Sequence, residues 1–273
     1  MTAIDFGGVA PLIREVARTE IQPLFRALAD SDIREKTPGD LVTVADEAAE
    51  VVLTKGLQEL SGGLPVVGEE AVSADPAVLE LLNNDLAWVV DPIDGTRAFV
   101  EGKGEYAVMV ALVEKGLPIS SWIYLPEHQE MYEAHRGGGV QRNGQQLPPA
   151  ESDLGDLRAG LATYYFPPGV RENVEPRVGD IGPRAFQTHR LWAGSTYAAL
   201  LSGSLDLAMY WRTHPWDHAP GALLLREYGG VSIRPDGTDY RVGDGKNGLV
   251  VATSPEVGTR IRAILGWDEN WPV

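Results

Sequence analysis

The sequence predicts a layered α/β fold in which sheets are covered by helices. Three observations carry that prediction. Apolar strand-like runs and periodic helix-like segments are mixed in both halves of the chain. The run LAWVVD, residues 86 to 91, stays apolar up to its aspartate, as a strand buried on both faces does. From residue 158 onward, candidate strands and helices alternate.

Each element has its own signal. Val9, Leu12, Ile13, Val16 and Ile21 recur at helical spacing, so residues 8 to 30 are expected to form an amphipathic helix. The polar segment KTPGDLVTVAD breaks at Pro38 and Gly39 and leads as a loop into a second helix from about Thr43 or Ala45. LPVVGEE reads as a short strand ending in Glu69 and Glu70, LAWVVD as the buried strand, and TRAFVEG as a helix opening after Gly95. YAVMVALVEKG, LPISSWIYLPE and QEMYEAHRGGGVQRNGQQ read as strands joined by turns at 115–116, 126–128 and 137–139. The polar, proline-bearing stretch 147–157 is the expected boundary between an N-terminal half, 1–146, and a C-terminal half, 147–273. Strands are then expected near 158–163, 187–191, 205–211 and 248–252, with helices over 195–201, 217–228 and 255–265.

Composition narrows the function. With 39 acidic against 23 basic residues and a net charge of −16, nucleic acid and anionic membranes are poor partners. The absence of cysteine excludes disulfides, thiolate nucleophiles and thiolate–zinc sites. No apolar run approaches the ~20 residues of a membrane span, and the N-terminus lacks a secretory pattern. A cytoplasmic enzyme or binding protein is expected.

The chemistry gathers around WVVDPIDGTRAFVEG. A buried strand delivers Asp91 to its C-terminal end, where α/β ligand sites lie. Pro92 stiffens the turn, Asp94 returns to the same side, and the Ile93 carbonyl points into the same space. These oxygens form half a cage for a hard divalent cation such as magnesium. Gly95 and Thr96 open a helix whose free N–H groups can hold a phosphate. A lone DxxD is more often a pair of caps. Glu69 and Glu70 end another strand, however, Asp217 opens a helix beside Trp216, and Asp46 follows a polar loop.

KTPGDLVTVAD, VVGEE, WVVDPIDGT and PWDHAPGALLLREYGG together resemble the successive signatures of the inositol monophosphatase family, magnesium-dependent and lithium-sensitive phosphomonoesterases. Its wider superfamily includes fructose-1,6-bisphosphatases, histidinol-phosphate phosphatases and phosphatases of 3′-phosphoadenosine 5′-phosphate. The resemblance spans Lys36 to about Gly230 and implies an αβαβα sandwich and a homodimer. It implies that Glu69, Asp91 and the Ile93 carbonyl hold one magnesium, that Asp91, Asp94 and Asp217 hold a second, and that a third sits loosely near Glu69. Thr96 and Glu69 would orient the attacking water, with Asp46 bonded to Thr96 and Thr43 beside it. Gly95 and Thr96 would grip the phosphate, and Glu70 would be a neighbour rather than a ligand.

The substrate end is less determined. The segment 189–196 resembles the family's pocket segment, which implies that Gly194 and Ser195 line the substrate site. Inositol phosphatases carry a glutamate seven residues before the aspartate of WD, and here that position is Tyr210. A tyrosine offers one donor and cannot accept two hydroxyl protons as a carboxylate does. The expected substrate is a small cyclitol or sugar phosphate, with histidinol phosphate and 3′-phosphoadenosine 5′-phosphate as alternatives. A non-catalytic regulatory protein on the same fold is the alternative of another class. Tyr164, Tyr165 and Phe166 are expected in strand and core packing, and His218 is expected to cap or face solvent. The GxGxxG match at 243–248 precedes a strand rather than a helix and reads as a turn.

Overall fold

The structure is a computed structural model that describes residues 4–149, 153–188 and 190–267. His189, Asp268 and part of the expected boundary stretch, residues 150 to 152, lie outside the described residues.

The first helix, α1 (Val9–Val16), is shorter than the periodicity suggests. It passes into a π turn, Ala17–Ile21, and a 3-10 turn, Gln22–Leu24. Pro23 lacks the N–H that an α-helix needs, and Phe25 is already extended. The segment expected as a loop is instead a hairpin of β1 (Ile33–Thr37) and β2 (Asp40–Thr43). Its turn puts Pro38 before Gly39 at φ 84°, the type II arrangement that glycine permits. Helix α2 (Val44–Ser61) starts at a capping box in which Thr43 and Asp46 satisfy each other's backbone ends.

Strand β3 (Val66–Gly68) runs into α3 (Glu69–Ala74), and β4 (Leu86–Asp94) pairs parallel to β3. The register of β4 against β5 (Ala107–Glu114) slips between Asp91 and Asp94. This bulge falls on Pro92, which has no N–H to give the ladder. It is followed by α4 (Thr96–Val100). Strands β6 (Leu117–Leu125), β7 (Glu130–His135), β8 (Val140–Arg142) and β9 (Gln145–Gln146) complete a seven-stranded sheet in sequence order, antiparallel beyond β4.

The second half contributes β10 (Arg158–Ala162), α5 (Pro168–Val174), α6 (Val178–Ile181), β11 (Arg184–Thr188) and α7 (Ala193–Leu201). It continues with β12 (Leu207–Tyr210), α8 (Pro215–Tyr228), β13 (Val231–Ile233), β14 (Leu249–Ala252) and α9 (Pro255–Leu265). The sheet order is β11-β10-β12-β14-β13. Strand β11 begins three residues before its expected place, and α5, α6 and β13 went unread in the sequence.

Strand alternation builds the layers. Trp88, Val90, Val108 and Val110 pack with α1 and α2 residues such as Ile13, Ala49 and Leu53. Their neighbours Val89, Met109 and Ala111 face α7 and α8, where Tyr197, Leu223 and Leu224 are buried. That core also takes in Ala208, Tyr210 and Val251 of the second sheet. Leu207, Met209 and Val250 point the other way, onto α5, α6 and α9. The order is helix, seven-stranded sheet, helix, five-stranded sheet, helix, an αβαβα sandwich.

Candidate active site

Asp91 and Asp94 flank the β4 bulge, and Asp217 sits in the first turn of α8. The fold brings one oxygen of each within 4.8 Å of the others. Asp94 is aimed by α7, whose Ala193 and Gly194 N–H groups donate to its two oxygens at 3.1 and 2.7 Å. Asp91 accepts from the Ile93 N–H at 3.0 Å. Burial raises all three carboxyls, Asp94 to about 7 and Asp91 and Asp217 well above their ordinary value. Repulsion among them and from Glu69 adds to the burial. Three crowded carboxylates with only oxygen donors fit a hard cation such as magnesium.

Glu69 stands beside this cluster, at the start of α3. Lys36, reaching over from the β1–β2 hairpin, bonds Glu69 at 2.7 Å and Glu70 at 3.0 Å. Burial alone would lower Lys36, but the two glutamates outweigh it and hold the ammonium above its usual range. Burial and the Glu69 charge push Glu70 up to about 8. Behind them, the buried Glu50 accepts the N–H groups of Glu70 and Ala71, both at 2.8 Å, and so fixes the start of α3. A Cβ on Gly68 would meet the Glu50 carboxyl at 2.3 Å. The sequence reading did not give Lys36 or Glu50 a role; the KTPG turn signal was the available clue to the first.

The hydroxyl of Thr96 lies 3.0 Å from Asp46 and 3.1 Å from the Ile93 carbonyl. Asp46 is buried, holds the Thr43 N–H at 2.8 Å, and is raised by burial to about 7. Gly95 has φ 87°, and a Cβ there would meet the Glu105 carbonyl at 2.9 Å. Gly194 and Ser195 do not line the cleft. The Gly194 N–H is spent on Asp94, and the Ser195 hydroxyl donates back to the Trp192 carbonyl at 3.3 Å.

The cleft over the carboxylates has a volume of about 650 Å³. Tyr210 is on its wall, and its hydroxyl faces Thr196 without a well-formed hydrogen bond. His218 is buried rather than capping or solvent-facing, bonded to the Tyr197 hydroxyl at 3.1 Å and the Arg212 carbonyl at 3.2 Å. Burial lowers it to about 3, so it is neutral. Phe166 is in the core, but Tyr164 and Tyr165 leave the strand in a 3-10 turn and reach the cleft.

Residues 8–265 match the model of the inositol monophosphatase family. The chain belongs to this family. Its similarity to inositol-1-monophosphatase ImpA of Mycolicibacterium smegmatis is 32% identity, over 87% of this chain and 84% of that protein. It is 31% identical to Nus factor SuhB of Escherichia coli, over 85% of this chain and 83% of that one. A solved inositol monophosphatase of Staphylococcus aureus, with inositol monophosphate bound, superposes with a TM-score of 0.75 at 25% identity, over 94% of this chain and 91% of that one. Family membership agrees with the sandwich and with a carboxylate cluster suited to a metal. No helix among the described residues is long and apolar enough to cross a membrane.

Proposed function

We propose that the chain is a magnesium-dependent phosphomonoesterase that hydrolyses a small phosphorylated metabolite of the cyclitol or sugar class. The observation that carries this reading is the meeting of Asp91, Asp94 and Asp217 beside the Thr96–Asp46 pair. Two magnesium ions would be held, with Asp91, Asp94 and Asp217 around one and Glu69, Asp91 and the Ile93 carbonyl around the other. A third would sit near Glu69 once Lys36 gives way. Bound there, magnesium supplies positive charge to the phosphoryl group and makes a water acidic.

The remaining steps belong to the chain. Thr96, on the cleft wall, orients the attacking water through its hydroxyl. The proton that water gives up passes through the Thr96 hydroxyl to Asp46, the buried carboxylate that the hydroxyl already faces at 3.0 Å. Glu69 accepts a hydrogen of the same water. The N–H groups of Gly95 and Thr96 hold the phosphate. By analogy with the family, the protein is a lithium-sensitive cytoplasmic homodimer.

The relatives named as Nus factors favour a second reading, in which the same fold works through contacts with other proteins. The full set of Glu69, Asp91, Asp94, Thr96 and Asp217 supports the enzyme. Hydrolysis of inositol 1-phosphate, histidinol phosphate and 3′-phosphoadenosine 5′-phosphate, with and without magnesium, tests it. Asp94→Asn should stay folded and lose about a hundredfold or more of turnover. A wild-type protein that cleaves nothing in the panel with magnesium would leave the regulatory reading standing.

A further inference from the structure

We propose that Arg190 and Arg212 form a second anion subsite, so that the substrate is a small phosphate monoester whose leaving group carries a further phosphate or carboxylate. This rests on the phosphatase reading of the same cleft. Arg212, just after β12, stands 4.4 Å over the Tyr165 ring. Arg190, just before α7, stands 5.9 Å from the same ring and 5.8 Å from Trp192. Two guanidiniums brought to one tyrosine on the wall of the cleft by separate segments repel each other, as the aspartates do among themselves. Tyrosine attracts each cation but cannot neutralise either.

The surrounding charges sharpen the point. Elsewhere the half-buried Arg158 is paired with Asp206 at 2.9 Å and the buried Arg234 with Asp244 at 2.6 Å. With 39 acidic residues against 23 basic ones, carboxylates are in surplus. Yet neither Arg190 nor Arg212 is in an ion pair among the described residues; Arg190 donates to the Gly39 carbonyl at 3.2 Å. Glu101 feels Arg190 only through space while it bonds Lys103. Tyr210, on the same wall, is a neutral phenol and so does not repel an anion. A guanidinium fork suits phosphate or carboxylate, and repels the amine of a substrate such as histidinol phosphate. The chemistry at phosphorus is unchanged: the ester P–O bond breaks as the water oxygen bonds phosphorus, the leaving oxygen takes a proton, and the second anion departs untouched.

The test compares kcat/KM with magnesium for inositol 1-phosphate, fructose 1,6-bisphosphate and 3-phosphoglycerate. These leaving groups carry no further charge, a phosphate and a carboxylate, so whichever of the last two is preferred identifies the anion. Wild type should favour one of them over inositol 1-phosphate by about tenfold, and Arg212→Gln should cut that ratio about tenfold through KM. Arg212→Lys, which keeps the charge without the fork, should fall between. In parallel, quenching of the tryptophans on the cleft wall, Trp192, Trp211 and Trp216, reports binding of fructose 1,6-bisphosphate without turnover. Hydrolysis with the same ratio in wild type and Arg212→Gln overturns the subsite and spares the phosphatase. Binding that Arg212→Gln weakens about tenfold, with no hydrolysis of any compound, does the reverse. Neither hydrolysis nor arginine-dependent binding overturns both.

Discussion

Both oxygens of Asp94 are fastened to the first N–H groups of α7, so its carboxyl is aimed by a helix that lies a hundred residues away in sequence. Such positioning explains which residues could be read from the sequence. Asp91, Asp94 and Asp217 were legible because the motifs around them fix their local turns. The use of Gly194 was not legible, because its partner is remote and its N–H looks available in sequence. Lys36 was missed for the same reason: only the fold shows that it reaches Glu69 and Glu70. The raised carboxyls have a measurable consequence. A carboxyl with a higher pKa folded than unfolded adds stability below about pH 4 and loses it as pH climbs through its folded value. For Asp46 and Asp94 that value is about 7, and for Asp91 and Asp217 it is also raised. Thermal unfolding in a chelator should therefore show a falling Tm from pH 5 to pH 8. Saturating magnesium binds only the deprotonated groups, so the gap between Tm with and without it should widen over the same range. A gap that narrows with pH would contradict a carboxylate cage.

At the scale of elements, close approach decides more than propensity. Helix α7 lies against β5 so tightly that a Cβ on Gly194 would fall 2.4 Å from the Ala107 Cβ. Gly194→Ala should push α7 off the sheet, cost about 1–3 kcal/mol, and weaken magnesium binding because the N–H groups that hold Asp94 move with the helix. Thermal unfolding and a magnesium titration would check both effects; a loss of stability with unaltered affinity would show that α7 does not position Asp94. The β1–β2 hairpin escaped the sequence reading because β1 (IREKT) has no apolar face to declare a strand. Its turn residues alone carried the signal. The start of α2 near Thr43 was legible, and the structure adds the capping box of Thr43 and Asp46 that fixes it.

For the whole molecule, alternating strands and helices were enough to predict layers, but not which helices would lie between the sheets. That choice belongs to α7 and α8, whose apolar residues face both ways. The expected halves, 1–146 and 147–273, therefore share a core. We expect the 1–146 segment expressed alone to fail to fold, because Val89, Met109, Ala111 and Ile123 would lose their cover. Circular dichroism and dye binding would decide it; a cooperative unfolding transition in the isolated segment would make the halves independent domains.

The same layering bears on the carboxylates. Asp91 and Asp94 ride on a sheet, while Asp217 rides on the helix layer beside it. Their spacing is thus a gauge of the gap between two layers, and an ion seated among them works as a rivet through both. A slide of one layer past the other would spoil the grip before any bond in the cleft changed. Affinity for a small cation seated there would be a reading of how stiffly the stack resists shear.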